Sequence, residues 1–113
     1  MKPEHARDAY RVADRIRPVL EKLWKQHKLD IASVRQALEQ AGFSEDSMTQ
    51  PLIVRPLPQH YENGGYTRLP GAEVAVRVHD DACASGFVQE SNFEAKANGP
   101  YPETGCFEPP SGH

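Results

Sequence analysis

Long apolar runs are missing from this 113-residue chain: Leu52-Ile53-Val54 is about the longest, far short of the 18 or more needed for a membrane-spanning helix. Any membrane association is therefore expected through an anchor outside these residues. Excess positive charge is missing too, since the formal net charge is −3, which argues against a nucleic-acid-binding role. Metal-binding signatures are sparse: there is no Cys-x2-Cys pair and no His-x3-His pair. Cysteine is limited to Cys83 and Cys106, and tryptophan to Trp24. What is present, 38% hydrophobic and 26% charged residues, is the composition of one small globular domain.

The two halves differ in kind. Residues 1–50 carry a net of +1 and residues 51–113 a net of −4, and eight of the ten prolines and seven of the eight glycines follow residue 50. A helical half followed by a strand-and-turn half predicts an α+β fold, with two N-terminal helices packed on a three- to four-stranded antiparallel sheet.

From Pro3 to about Gln26, residues Ala6, Tyr10, Ala13, Ile16, Val19, Leu20, Leu23 and Trp24 form one helical stripe. Pro18 interrupts it, so a kink or two shorter segments is expected. That interruption also predicts a loosely docked first helix (residues 1–28), a spacer from an anchor, ahead of a helix-plus-sheet core over 30–113. Asp30 is placed to cap a second helix over 31–41, carrying Ile31, Val34, Leu38 and Ala41, with Gly42 at its end. The Ile31–Phe43 segment has the apolar spacing of a helix-turn-helix element, but no basic recognition helix follows.

Strands are expected at 52–57, 73–79, 84–89 and 93–97. Pro51, Pro56 and Pro58 make the first an edge strand. Val74, Val76 and Val78 alternate most cleanly. Residues 59–71 read as a polar loop turning at Asn63-Gly64-Gly65, and the segment from Asn98 as an irregular tail. The expected core is Ile16, Leu20, Leu23, Trp24, Val34, Leu38, Leu52, Val54, Val74, Val76, Val78 and Phe87.

Cys83 and Cys106 admit three readings. A disulfide between them would tie the proline-rich tail to a strand end, closing a loop worth about 3.4 kcal/mol in the chain-entropy model. They could instead be two unrelated buried thiols. Or they could act: with His60 and His79 as a Cys2His2 zinc site, or with Cys83 as a nucleophile served by His79 or His60 and oriented by Asp80 or Asp81. The first reading is favoured, because a tail with four prolines and little apolar content needs an anchor. Asp80-Asp81 reads as a solvated strand end, since a hard cation needs more oxygens than any loop here supplies. Tyr61, Tyr66 and Tyr101 are candidates for a ligand surface.

The helix SVRQALEQAGF (33–43), the strand PLIVRPL (51–57), EVAVRVHDDACASGFV (73–88) and NGPYPETGCFEPP (98–110) together resemble the C-terminal domain of small lipoproteins and secreted proteins of high-GC Gram-positive bacteria. The most specific parts are Ala82–Gly86 and Gly99–Cys106. The resemblance implies an extracytoplasmic domain with Cys83 paired to Cys106 and no catalytic residues. The chain departs from a full-length lipoprotein of that kind in having neither an apolar leader nor a lipid-accepting cysteine among its first residues. The expected function is a non-catalytic binding or accessory domain at the cell surface, without cofactor or metal, whose partner is a protein or cell-surface ligand. Two alternatives compete with it. One is a small metal-binding or thiol enzyme using His60, His79, Cys83 and Cys106. The other is a cytosolic regulatory domain presenting an exposed face of residues 3–26.

Overall fold

The computed structural model describes residues 1–107 and 109, and for His60 and Glu62 the backbone alone. Two helices, α1 (Pro3–Lys25) and α2 (Ile31–Gln40), precede six strands: β1 (Leu52–Pro56), β2 (His60–Glu62), β3 (Gly65–Thr67), β4 (Gly71–His79), β5 (Ala82–Gln89) and β6 (Phe93–Asn98). The expected α+β architecture is what forms. A four-stranded antiparallel sheet runs in the order β1-β4-β5-β6, and both helices lie on one face of it. Among the described residues, no helix is long and apolar enough to cross a membrane.

Helix α1 corrects two expectations. It does not divide at Pro18 but runs unbroken for 23 residues. Pro18 sits on the solvent side, where water can serve the carbonyl that its missing N–H leaves unpaired. Ile16 and Leu20 on either side are fully buried and pin both halves to the sheet. Arg17 adds a tether by donating to the Ala95 carbonyl of β6 at 2.9 Å. Nor is the helix loosely docked. Ala9, Val12, Ala13, Ile16, Leu20 and Leu23 are all buried in the main core. Most of the apolar stripe is thus covered by the sheet, while Tyr10 at its start stays 59% exposed.

Helix α2 follows from its ends. The Asp30 carboxylate accepts from the Ser33 N–H at 2.9 Å. At the other end Gly42 takes φ +100°, and the N–H groups of Gly42 and Phe43 return to the carbonyls of Glu39 and Leu38, both at 3.0 Å. This is the double-bonded helix stop that needs a left-handed residue. Phe43 then folds under the helix, with the Arg15 guanidinium 4.5 Å above its ring.

The sheet has two different faces. Val74, Val76 and Val78 of β4, Ala82, Ala84 and Val88 of β5, and Ala95 of β6 meet the helices. Cys83 and Ala75 point the other way, where Cys106 and Phe107 of the tail cover them. β5 is therefore buried on both sides, which is why its apolar alternation is weak. Phe87, expected in the core, shares the tail-side parity of Cys83 and is half-buried there. Trp24 and Val54 are partly buried at the core edge. Trp24 is held by its indole N–H to the Glu90 carbonyl at 3.1 Å and by the Phe93 ring.

Close approach of the β6 backbone, with Leu20 of α1 behind it, explains the glycine at position 86 of β5. A Cβ on Gly86 would lie 2.2 Å from the Glu94 carbonyl oxygen and 3.1 Å from the Leu20 side chain. Gly86→Ala is expected to cost about 3 kcal/mol, the upper end of overpacking penalties, because backbone must move rather than a side chain. Urea unfolding measures this; a midpoint unchanged from the parent chain would refute the account.

Residues 59–71 differ from the expected loop. The Asn63-Gly64 turn is there, with φ of 53° and 82°, but it closes a small two-stranded hairpin pairing His60 with Thr67 and Tyr61 with Tyr66. Two successive positive φ values make the turn type whose twist suits a hairpin. Among the described residues, β2 and β3 pack on no other helix or strand, so the hairpin projects.

Candidate ligand groove on the outer face of the sheet

The tail is fixed first by covalent chemistry. Cys83 and Cys106 form a disulfide, their Cα atoms 5.6 Å apart, and neither is appreciably exposed. Such bonds belong to oxidising compartments, and this one is consistent with an extracellular location. With both sulfurs bonded, no free cysteine remains. The zinc and nucleophile readings built on Cys83 and Cys106 are thereby overturned, because each required a thiolate.

Hydrogen bonds then lock the tail. The buried Asn98 side chain accepts from the Ser85 hydroxyl at 2.6 Å and donates to the carbonyls of Cys106 and Gly99 at 3.0 Å each. The Thr104 hydroxyl donates to the Phe107 carbonyl. Phe107 is only 4% exposed, and the Arg55 guanidinium stacks on its ring at 3.7 Å.

Pinning the tail across the sheet leaves a groove of about 360 Å³ beside it. Phe87 and Ser85 form its floor, Phe107 and Pro109 one wall, Glu94 and Lys96 of β6 the other, and Leu57 and Pro58 one end. The register places Arg55, Glu73, Phe87 and Glu94 in a single row across the four strands. Glu73 is largely buried. One carboxylate oxygen accepts from Arg55 at 3.2 Å, and the other, Oε1, is wholly buried with no hydrogen-bond partner. An unsatisfied buried acceptor is costly and calls for a reason.

The projecting hairpin starts at His60, two residues after the groove-lining Pro58. Tyr61 and Tyr66 meet edge-to-face across it, ring centroids 5.1 Å apart, and are 62% and 70% exposed. The predicted tyrosine set is therefore split. Tyr101 is half-buried in the tail, bridged to Gly105, and no ring contact joins it to the other two among the described residues. The side chain of His60 lies outside the described residues.

His79 and Asp81 turn up elsewhere, in a cluster whose other half the sequence hid. The β4 register shifts between Arg77 and His79, and His79 past this irregularity reaches α1. Its Nε2 pairs with the Asp8 carboxylate at 2.8 Å, its ring stacks on His5 at 3.8 Å, and His5 Nδ1 pairs with Asp81 at 2.6 Å. Asp81 also accepts from the Lys2 backbone N–H at 2.8 Å, capping α1 where the Lys2 side chain makes no cap. Asp80 contributes only its carbonyl, to Arg77. Among the described residues no group of three or more His, Cys, Asp or Glu is arranged to hold a metal.

The cluster makes the start of α1 acid-sensitive. The Lys2 N–H, followed by the His5 contact, holds the Asp81 carboxyl at about 2, below the usual 3.8, and the His79 hydrogen bond lowers Asp8. A depressed folded-state value stabilises fully above the unfolded one and loses that contribution as pH falls from about 4 towards 2. The protection factors of the amides in the first turn of α1, taken after division by the intrinsic exchange rate at each pH, are expected to fall over that interval. Asp81→Asn should already show lower protection at pH 5, and its protection factors should respond less to acid. Equal responses in the two proteins would rule out this carboxylate as the cause.

Comparison with protein-family models, with curated proteins and with solved structures gave no match to the chain.

Proposed function

We propose that this protein is an extracytoplasmic, non-catalytic binding or accessory module, of the kind found at the surface of high-GC Gram-positive cells, and that its binding site is the groove beside the tail. One observation carries the reading. The only disulfide among the described residues holds a polypeptide segment over the outer face of the sheet, and a recess with aromatic, proline and charged lining is what that covering leaves. Ligand sites typically combine apolar walls with a few fixed polar groups. The exposed Tyr61–Tyr66 pair on the hairpin that follows Pro58 adds contact area of the type enriched in recognition surfaces.

Two measurements test the reading. Thiol trapping in intact cells, with alkylation before and after reduction, is expected to show two alkyl groups added only after reduction. Two groups added beforehand would contradict the extracytoplasmic assignment. A fragment library of amines, carboxylates, sugars and capped peptides, screened against the 15N-labelled chain, is expected to give saturable shifts clustered at Ser85–Gln89, Glu94–Lys96 and Phe107. Binding confined to another face, or none at millimolar concentration, would contradict the site.

A further inference from the structure

We infer that the groove selects an organic cation, an amine or guanidine borne on an apolar body. The inference rests on reading the groove as the binding site and names what enters it.

The argument starts from which charges near the groove are already matched. Arg55 is committed twice, to one oxygen of Glu73 and to the face of Phe107. Lys96, one row along the sheet, also has a partner. The acceptors are not matched in the same way. Among the described residues Glu73 Oε1 has no donor, and the exposed Glu94 side chain makes no hydrogen bond or ion pair. Arg55 and Glu73 cancel as an ion pair, so among the described residues the exposed charge left without a partner at this recess is the Glu94 carboxylate.

Geometry gives that charge a shape. Phe87 pairs with Glu73 on one side and Glu94 on the other, so two carboxylates flank one aromatic ring. Directly opposed residues in an antiparallel sheet have Cβ atoms about 4.5–5.5 Å apart. A cation resting on the Phe87 face thus has the exposed Glu94 carboxylate within reach, and the electron-rich ring beneath it adds to the attraction. An ammonium or guanidinium supplies several N–H donors at once. Leu57, Pro58, Phe107 and Pro109 offer apolar surface for the remainder of the ligand. Two sources share this chemistry: a free amine, or a basic side chain within a polypeptide.

The test uses the 15N-labelled full chain with its disulfide intact. Three probes are titrated: tryptamine, a capped arginine tripeptide, and indole-3-propionate as an anion of similar size. The cations are expected to shift Ser85–Gln89 and Glu94–Lys96 saturably, at least ten-fold more tightly than the anion, with affinity falling as salt is added. Tighter binding of tryptamine identifies a free amine as the better ligand, and of the tripeptide a basic side chain. Glu94→Gln removes charge at an exposed position and is expected to weaken cation binding about ten-fold, the equivalent of one charge-assisted contact. Phe87→Leu keeps an apolar floor without the aromatic face and should cost about five-fold. Equal binding of the anion at the same residues, or an unchanged affinity in Glu94→Gln, overturns the cation assignment while leaving the groove as a binding site. No saturable shift at the groove with any probe overturns both.

Discussion

A chain beginning at His27 is expected to lose cooperative folding altogether. Helix α1 supplies six buried residues to the main core: Ala9, Val12, Ala13, Ile16, Leu20 and Leu23. Burying a large aliphatic side chain stabilises by about 2 kcal/mol or more, and the smaller side chains add fractions of that. The six together amount to roughly 9 kcal/mol, comparable with the whole net stability of a domain this size. Deletion also uncovers Val74, Val76, Ala84 and Val88, which face the helix layer. Far-UV circular dichroism and urea unfolding of the truncated chain provide the check. A sharp, reversible transition would show that α1 is dispensable, as a spacer would be. The point substitution Leu20→Ala, at a fully buried position, tests the same packing more gently and should cost about 3–4 kcal/mol.

The contrast between α1 and α2 shows where local sequence is a sufficient guide. Asp30, the four-residue apolar spacing and Gly42 act within one or two turns, so α2 was readable residue by residue. Pro18 is also a local signal, but a local penalty of about 3 kcal/mol is outweighed by the buried neighbours Ile16 and Leu20. In the sheet, β4 alternates because its tail-side positions, Glu73 and Arg77 among them, are polar enough to mark the face. β5 carries Ala82, Ala84 and Gly86 towards α1 and Cys83, Ser85 and Phe87 towards the tail, and both sets are buried or half-buried. Without polar residues to mark one side, nothing local says which way Phe87 points.

The candidate site was less legible still. The disulfide was the favoured reading of two cysteines, and it was right. The groove, however, exists only because the tail lies across β5, and that placement cannot be seen from spacing alone. His79 and Asp81 stood out as candidates, whereas their partners Asp8 and His5 lie 71 and 76 residues away and carry no local mark. The tyrosines were legible as exposed aromatics, but only tertiary structure separates the Tyr61–Tyr66 pair from Tyr101.

Replacing both cysteines by alanine is expected to lower stability by about 3.4 kcal/mol, the loop-closure entropy of the segment the bond encloses. For a chain of this length each kcal/mol corresponds to about 4 °C, so the melting temperature should fall by roughly 14 °C. The loss should also be lopsided. The core between helices and sheet contains none of the tail residues, whereas Ala75, Phe107 and the two sulfurs form a separate cluster on the opposite face. Below its lowered melting point the variant should therefore keep the amide spectrum of α1, α2 and β4. The signals of Ser85, Phe87, Asn98 and Phe107 should broaden or move, since Asn98 loses its fixed acceptor at Cys106 and Arg55 loses the ring beneath it. Cation binding at the groove should fail in the same protein, although Glu73, Phe87 and Glu94 are all retained, because one wall is gone. A variant that melts lower yet binds the cationic probes as before would reduce the staple to a stabiliser and separate it from recognition. An unchanged melting temperature would mean that the tail is held by Asn98 and Phe107 without it. Reduction of the parent chain gives an independent route to the same question. Cys83 is inaccessible and Cys106 is 5% exposed, so a thiolate reagent must wait for the tail to lift. The rate of reduction should therefore rise with denaturant well before the main core unfolds.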